Sequence, residues 1–259
     1  MAYLQITTRC TMKCAHCCYS CGKNGKHMNY NNVIDAIDFI ANKLGNEGIS
    51  IGGGEPTLHP EFFNILEYCL DNFDYVWMAT NGSKTKSMYR LANILNGYDF
   101  ENCSCETNEE KDYCQCQIID GTDKLTVALS QDYFHDEIDE RIVSLWTRNA
   151  NVHKRSGYEI RNVTSSRQGI VKEGRAKRTG NYQDEDGCCC SDIVIKPNGG
   201  LRLCGCSIAP VIGDIWSGIQ EKWQDIIDNN KDYQETKCSK SLPKKLLKGE
   251  IDGTAFVMP

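Results

Sequence analysis

Hydrophobic and polar positions follow two different periods along the first 163 residues. Short apolar runs predict strands, and apolar residues spaced three or four positions apart predict helices. The helical pattern is clear in VIDAIDFIANKL, where Val33, Ile37, Ile40 and Leu44 share one face. Strands are predicted at residues 3–7, 49–51, 75–80, 124–130 and 158–163, and helices at residues 33–44, 61–70, 88–95 and 137–150.

The order of these elements predicts an α/β fold. Repeated strand-then-helix units form parallel strands joined by right-handed crossovers. The chain has 259 residues, enough for one barrel-like α/β domain with a small addition. The regular alternation fades near residue 164, so we predict a core domain at 1–164 with a polar, cysteine-rich insert at 99–123. Residues 165–259 are predicted to complete the barrel and to form a small extension. In a barrel, the loops after the strands share one rim, where reactive groups collect.

Composition excludes several classes of protein. Hydrophobic residues make up 40% and charged residues 25% of the chain, which indicates neither disorder nor a fibrous repeat. The sequence contains no membrane-spanning apolar stretch and no signal peptide, so a cytoplasmic protein without membrane contact is predicted. The net charge of −6 argues against nucleic-acid binding. One basic cluster, Arg175, Lys177 and Arg178, is either a solvated loop or a contact for a phosphate or carboxylate.

Sixteen cysteines are the exceptional feature of the composition. In a chain without a secretion signal, closely grouped cysteines indicate metal ligands or catalytic thiols better than a disulfide framework. Cys10, Cys14 and Cys17 form a CxxxCxxC spacing. Thiolates on such a loop can bind an iron-sulfur cubane and leave one iron open. The spacing alone leaves two alternatives, a zinc site completed by His16 or Cys21, and reduced structural thiols.

A glycine run follows the second predicted strand. Residues 52–56 read GGGEP and come directly after the apolar residues 49–51. Missing side chains let a ligand approach the backbone, and Glu55 can accept a hydrogen bond from a ligand ammonium. The run lacks the spacing of a phosphate-binding or dinucleotide-binding loop, and alone it indicates no more than a turn.

Together the two motifs resemble those of the radical S-adenosylmethionine (radical SAM) superfamily, whose members carry CxxxCxxC after the first barrel strand and a GGE-type motif after the second. The resemblance extends through residues 57–62, Thr80-Asn81-Gly82 and the strand KLTVALS, and covers residues 3–163. It implies a partial (β/α)6-type TIM-like barrel and a 4Fe-4S cluster. It also implies an enzyme that cleaves S-adenosylmethionine (SAM) reductively to form a 5'-deoxyadenosyl radical.

The resemblance implies individual roles at the cofactor site. Three cysteines bind the cluster and leave one iron open, namely Cys10, Cys14 and Cys17. Three residues of the glycine run hold the methionyl amine, namely Gly53, Gly54 and Glu55. Three strand-end residues are proposed for the ribose or carboxylate of SAM, with a turn or surface role as the alternative, namely Thr80, Ser130 and Arg161.

The cysteine loop departs from the superfamily pattern before its third cysteine. That position is often aromatic and packs near adenine, whereas this chain has His16 there, with Tyr19 as the other candidate. Two more thiols, Cys18 and Cys21, extend the loop. We predict that neither binds the first cluster, because a fourth protein ligand would block the open iron.

The extension carries further cysteines around a predicted hairpin, in which two apolar strands flank a Pro-Asn-Gly-Gly turn. This layout resembles the cysteine-bearing SPASM and twitch domains. The resemblance implies a second 4Fe-4S cluster, with a structural zinc or free thiols as alternatives. Its ligands would be a subset of six residues, Cys188, Cys189, Cys190, Cys204, Cys206 and Cys238.

The insert carries two CxC pairs, Cys103 with Cys105 and Cys114 with Cys116. Four thiolates suit tetrahedral zinc. A structural metal would order a segment that is too polar to form its own hydrophobic core. A disulfide-bearing hairpin is the alternative.

The sequence leaves the substrate open. A peptide or protein is the first interpretation, because SPASM-like extensions resemble those of ribosomal-peptide maturases. A small molecule such as a nucleotide, or a partner enzyme that receives a glycyl radical, is the second. A metal-binding module without enzymatic activity is the third interpretation, and the GGGEP motif at residues 52–56 argues against it. An electron donor such as flavodoxin or ferredoxin is implied. Asp132, His135 and Asp136 are either substrate contacts or a helix cap with surface charges.

Overall fold

In the part of the chain that the structure describes, nine strands form one sheet. A computed structural model of the chain describes residues 1–96, 122–162, 170, 172–182, 193–205 and 208–235. Strands β1 to β9 are Ala2–Thr7, Ile49–Gly53, Val76–Thr80, Leu125–Ser130, Tyr158–Arg161, Val194–Ile195, Gly200–Arg202, Val211–Asp214 and Gly218–Ile219. Their order across the sheet is β5-β4-β3-β2-β1-β6-β7-β8-β9.

The four helices predicted from periodicity are present with shifted ends, and the described part of the extension adds three short ones. Asn29 caps the first helix by accepting a hydrogen bond from the backbone N–H of Asn31, so this helix begins earlier than its apolar pattern. Asp139 caps the fourth helix in the same way and delays its start. Helices α1 to α7 are Tyr30–Phe39, Phe62–Asn72, Thr85–Asn96, Glu140–Thr147, Gly174–Thr179, Trp223–Asp228 and Lys231–Gln234.

Strands β1 to β5 are parallel, which confirms the predicted α/β class and the partial TIM-like barrel. A sixth parallel strand, β6, pairs with β1, where Tyr3 lies opposite Val194. Strand β6 therefore extends the sheet beyond β1 instead of following β5, an order that the sequence did not predict. The extension joins the same sheet, and the predicted division at residue 164 stays a prediction.

The predicted hairpin of the extension is present. Strand β6 is antiparallel to β7, with Ile195 opposite Leu201, and Gly199 in the turn has a φ of 78° that favours glycine. A second hairpin, β8-β9, was missed by the sequence analysis, because its strands are short and its pattern is interrupted by Gly213 and Gly218.

The core lies between the sheet and the helices packed on it. The predicted apolar face of Val33, Ile37, Ile40 and Leu44 is buried, and Trp146 is fully buried with its indole N–H donating to the carbonyl of Val127 at 3.1 Å. Each fully buried side chain of this kind stabilises the fold by roughly 1.5 to 3 kcal/mol. The carboxyl ends of the parallel strands are thus held on a packed support.

In the described ranges, no helix is long and apolar enough to cross a bilayer.

Several predicted metal ligands lie outside the described residues. The cysteines outside these ranges belong to the insert and the extension, and they are Cys103, Cys105, Cys114, Cys116, Cys188, Cys189, Cys190, Cys206 and Cys238.

Candidate active site

The carboxyl ends of the parallel strands surround a cavity of about 340 Å³. Its wall combines the cysteine loop after β1 with the ends of β2, β3, β4 and β5. Every residue that the sequence analysis assigned to the first cluster or to SAM lies on this wall. These residues are Cys10, Cys14, His16, Cys17, Gly53, Gly54, Glu55, Thr80, Ser130 and Arg161.

Backbone hydrogen bonds close the cysteine loop on itself. The N–H of Thr8 donates to the carbonyl of Lys26 at 2.9 Å, and the N–H of Cys10 donates to that of Gly22 at 3.0 Å. A tighter turn inside the loop joins the N–H of Cys17 to the carbonyl of Cys14 at 3.2 Å. The loop is therefore a defined structure that turns three thiols toward one cavity.

The electrostatics of the three thiols suit a positively charged metal group. Burial, together with the nearby thiol groups of Cys10 and Cys17, raises the pKa of Cys14 to about 12. Burial also raises the pKa of Cys10. Three thiolates this close repel one another unless a metal shares their charge, so the donor set fits a cluster.

Cys21 interacts with Cys17 inside the same loop. A hydrogen bond from the Cys21 thiol holds the pKa of Cys17 at about 6, and the same interaction raises the pKa of Cys21 well above its ordinary value. The Cys21 side chain is buried, and the amide of Gln5 lies 4.0 Å from its sulfur. These contacts make Cys21 a hydrogen-bond donor to the sulfur of Cys17. That it does not bind the cluster itself stays a prediction.

Glu55 is buried and accepts four hydrogen bonds. Its Oε1 accepts from the N–H of Thr57 at 3.2 Å, from the hydroxyl of Thr57 at 2.6 Å and from the hydroxyl of Thr80 at 2.8 Å. Its Oε2 accepts from the N–H of Asn81 at 2.7 Å. Glu55 thus joins the turn after β2 to the end of β3, while Oε2 keeps capacity for a further donor.

The glycines of the run are required by the neighbouring strand. A methyl group on Gly53 would overlap the carbonyl oxygen of Thr7, and one on Gly54 would overlap that of Arg9. The N–H of Gly54 donates to Thr7 O at 2.8 Å, which shows how closely the two backbones approach. From sequence these glycines are expected to let a ligand approach, and the structure adds a packing reason for them.

Asn81 is a site residue that the sequence analysis did not select. Its Nδ2 lies 3.5 Å from Cys10 Sγ and 3.2 Å from Thr11 Oγ1, so it contacts the cysteine loop from the end of β3. The signal for it was its place between Thr80 and Gly82 at a strand end. Thr80 itself is buried, and its hydroxyl donates to Glu55 and accepts from the N–H of Gly82.

His16 lies among aromatic side chains at one side of the cavity. Its ring centroid is 4.7 Å from that of Phe134 and 5.1 Å from that of His135. Burial, followed by the nearby His135, lowers the pKa of His16 to about 4. Its Nδ1 is buried and has no hydrogen-bond partner in the described part of the chain. Tyr19, the other candidate for the adenine, stacks instead on Tyr3, with 5.6 Å between the ring centroids.

Asp132 and His135 also line the cavity, close to His16. Oδ1 of Asp132 lies 2.8 Å from Nδ1 of His135. His16, Asp132 and His135 each offer one atom that could bind a metal ion, and these three atoms lie within 4.8 Å of one another. From sequence, Asp132 and His135 are predicted to be either substrate contacts or part of a helix cap with surface charges. Their position on the cavity wall brings them to the same site as the cysteines.

Ser130 and Arg161 lie opposite each other where β4 pairs with β5. Ser130 is partly buried, Arg161 is exposed, and both line the cavity. The predicted basic cluster is divided, because Arg175 is buried beneath the cysteine loop while Lys177 and Arg178 are exposed.

The extension approaches the site through its hairpin. Cys204 is buried with 1% exposure and belongs to the hydrophobic core, and a methyl group on the next residue, Gly205, would lie 2.8 Å from Tyr19 Oη. The end of the hairpin is therefore in contact with the cysteine loop.

Comparison with known proteins gives the family of the chain. The sequence model of the Radical SAM superfamily matches residues 4–143, which is more than half of the 259 residues. The chain belongs to the radical SAM superfamily. It is an enzyme of the radical SAM class, whose cofactors are a 4Fe-4S cluster and SAM.

Curated relatives match part of this radical SAM enzyme. A probable GTP 3',8-cyclase of Pyrococcus abyssi is 27% identical over 132 residues, which is 48% of this chain and 42% of the relative. A probable GTP 3',8-cyclase of Pyrococcus horikoshii is 28% identical over 112 residues, which is 42% of this chain and 35% of the relative. The matches therefore span less than half the length of either relative.

A solved structure is similar over almost the whole chain. The crystal structure of BtrN in complex with AdoMet and 2-DOIA has a TM-score of 0.56 and 14% sequence identity, and the match covers 98% of this chain and 91% of BtrN. At this identity the likeness concerns the fold alone, which includes the part of the chain after residue 164.

Proposed function

We propose that this radical SAM enzyme holds its 4Fe-4S cluster with Cys10, Cys14 and Cys17, and binds the methionyl amine of SAM with Gly53, Gly54 and Glu55. When bound, the cluster supplies the electron that breaks a C–S bond of SAM, so that a 5'-deoxyadenosyl radical forms and abstracts hydrogen from the substrate. The side chains of this protein hold the cofactors, orient them and exclude water from the cavity.

The observation that carries this proposal is the meeting of two distant sequence motifs on one cavity wall. The cysteine loop and the glycine run lie more than 30 residues apart along the chain, yet the backbones of Thr7 and Gly54 are hydrogen-bonded at 2.8 Å. Asn81 contacts Cys10 from a third strand end, and Oε2 of Glu55 can accept one more donor. This arrangement supports cluster thiolates beside an ammonium-binding carboxylate.

The remaining cofactor assignments follow from position. His16 lies beside Phe134 and suits the adenine of SAM, because two flat rings can sandwich or flank a third. Ser130 and Arg161 lie at the ends of β4 and β5 and offer a hydroxyl and a cation for the ribose or carboxylate. Thr80 acts through Glu55, since its hydroxyl is already bonded to that carboxylate.

For the substrate we propose a small polar molecule. The polar groups of Asp132 and His135 line the same cavity as the cysteines, where they can contact hydroxyl, amino or phosphate groups. Two further facts support this class. The curated relatives are named as probable GTP 3',8-cyclases, and the solved structure that is similar over almost the whole chain is a complex with 2-DOIA.

Modification of a peptide or protein is the second candidate. The hairpin β6-β7 with Cys204 near its end favours it, since this layout resembles SPASM and twitch domains. The auxiliary 4Fe-4S cluster, a zinc site in the insert, a flavodoxin or ferredoxin as electron donor and a cytoplasmic location stay predictions.

The cluster assignment is tested by replacing Cys10, Cys14 and Cys17 together with alanine. After anaerobic reconstitution, the triple variant should form no 5'-deoxyadenosine from SAM and dithionite. Cys69→Ala is the matched control, because Cys69 is an isolated, fully buried thiol in α2. The control should form product at the wild-type rate. Product at that rate from the triple variant would refute the assignment.

The substrate class is tested by isotope transfer. Cells of the source organism are grown in deuterated medium, and their extract is separated into a small-molecule fraction and a peptide fraction. The wild-type enzyme is then incubated with SAM, reductant and each fraction. SAM from the labelled cells carries several deuterium atoms, whereas abstraction by the added, unlabelled SAM introduces one. A gain of a single deuterium in 5'-deoxyadenosine with the small-molecule fraction therefore supports the proposal, and such a gain with the peptide fraction alone replaces it with the second candidate.

A further inference from the structure

A short helix from the distant extension packs against the cysteine loop. Helix α5, Gly174–Thr179, contacts the loop through residues that are more than 150 positions away in sequence. The hydroxyl of Thr179 donates to the carbonyl of Ala15 at 2.7 Å. The contact is close at the other end of the helix, where a methyl group on Gly174 would overlap the carbonyl oxygen of Cys18. Gly174 also has a φ of 53°, which favours glycine.

Arg175 makes the central contact of this helix. Its backbone N–H donates to the carbonyl of Cys17 at 2.8 Å, and its guanidinium donates to the carbonyl of Cys14 at 2.8 Å and to that of Cys21. One residue thus bonds three carbonyls spread across the loop. The guanidinium is planar and presents several donors in a fixed geometry. It therefore fixes the position of the Cys14 carbonyl relative to the Cys21 carbonyl.

The charge of Arg175 is buried without a carboxylate partner in the described residues. Arg175 is 9% exposed, and no Asp or Glu of the described ranges lies within ion-pair distance of it. A buried cation without an anion is costly. A 4Fe-4S cluster with three thiolates carries net negative charge, and it becomes more negative on reduction, so it offers the missing compensation.

We propose that Arg175 is a positioning residue that sets the shape of the cluster loop and favours the reduced cluster through its charge. This inference rests on the proposed cluster at Cys10, Cys14 and Cys17. Charge and hydrogen bonds around a cluster are known to tune its reduction potential. The two effects of Arg175, on loop shape and on potential, come from different properties of the guanidinium, and substitutions separate them.

Two variants and one matched control test the proposal in the full-length protein. Arg175→Met removes both the charge and the side-chain hydrogen bonds. Arg175→Lys keeps the charge, but a single ammonium does not reproduce the fork. Arg178→Met is the control, since Arg178 lies in the same helix and is exposed. The readouts are the midpoint potential of the reconstituted cluster and the hydrogen exchange of backbone amides in residues 10–22 before reconstitution.

Arg175→Met should shift the reduction equilibrium at least tenfold toward the oxidised cluster, which is about 59 mV for one electron. Its loop amides should exchange at least tenfold faster than those of the wild type. Arg175→Lys should show the faster exchange with a potential close to that of the wild type. Arg178→Met should match the wild type in both measurements.

Equal exchange and equal potential in Arg175→Met and Arg178→Met would overturn the proposal. If Arg175→Met does not fold, Arg175→Lys carries the test, and wild-type exchange in its loop would overturn the positioning role. The exchange measurement does not involve the cluster. Wild-type exchange in the Arg175 variants therefore contradicts only the positioning role of Arg175, whereas an active triple cysteine variant contradicts the cluster assignment itself.

Discussion

Glu55 Oε2 accepts a hydrogen bond from the backbone N–H of Asn81 at 2.7 Å. This bond links the glycine run after β2 to the end of β3, and the side chain of Asn81 continues the link to Cys10. The carboxylate proposed to bind SAM is therefore also a structural connection between strand ends. Substitution of Glu55 should affect both the stability of the protein and its affinity for SAM.

Glu55→Ala should lower the free energy of unfolding by at least about 2 kcal/mol, since it leaves several buried donors without an acceptor. It should also weaken SAM binding by about one to two orders of magnitude, because a charge-assisted hydrogen bond contributes roughly 1.5 to 3 kcal/mol. Glu55→Gln should be milder in both respects, since its amide oxygen still accepts from Asn81 and its NH2 can donate to the threonine hydroxyls.

The measurements on Glu55 are urea unfolding and an anaerobic SAM titration followed by the electron paramagnetic resonance of the cluster. Glu61→Gln is the control, because Glu61 lies at the start of α2 and outside the cavity wall. Wild-type SAM affinity in both Glu55 variants would show that Glu55 is structural only.

Gly54→Ala should displace the cysteine loop. The added methyl group overlaps the carbonyl oxygen of Arg9, and backbone atoms cannot move aside as a flexible side chain can. Overpacking of this kind costs about 1 to 3 kcal/mol. Gly22→Ala is the control, since a methyl group there meets only Arg175 Nη2 at 3.8 Å. Iron bound per chain and the urea midpoint should fall in Gly54→Ala alone, and equal losses in both variants would contradict this explanation.

The pair of Asp132 and His135 should make stability depend on acid pH. Burial raises the pKa of Asp132, but the hydrogen bonds from His135 and from the N–H of Phe134 outweigh burial and lower it overall. A carboxyl with a lowered folded-state pKa stabilises the protein above its ordinary pKa of about 3.9, and this contribution is lost as pH falls through the folded-state value. Asp132→Asn should therefore be less stable than the wild type at pH 7, and this difference should shrink below about pH 4.

Urea unfolding across pH measures this difference, and a double-mutant cycle with His135→Ala gives its origin. In a His135→Ala background, the cost of Asp132→Asn at pH 7 should become smaller. An unchanged cost would mean that the hydrogen bond to His135 is not its source.

A further metal centre should remain after removal of the first cluster. Most of the sixteen cysteines lie outside the loop of Cys10, Cys14 and Cys17, in the insert and the extension. Iron, sulfide and zinc are quantified together in the triple alanine variant after anaerobic purification. Iron with sulfide is expected from the auxiliary cluster and zinc from the insert. A variant without any metal would refute both sites.

The sequence by itself determined the fold class, the superfamily and the cofactors. Strand and helix periods are local properties, so the parallel strands and the faces of α1 and α4 were readable from short windows. The spacing of Cys10, Cys14 and Cys17 is equally local, because metal-binding loops keep their ligands close along the chain, and their binding of the cluster stays a prediction. Because loops after parallel strands share a rim, the sequence also predicts that the glycine run lies beside the cysteine loop.

Only the tertiary structure decided which distant residues complete the site. Asn81 contacts Cys10 across 71 residues and Arg175 contacts Cys14 across 161, and no spacing rule encodes such contacts. The basic cluster around Arg175 appeared uniform in sequence, yet packing buried one member and left its neighbours exposed. The position of β6 beside β1 is likewise a property of the sheet, because strand pairing depends on which edge remains open when the chain returns.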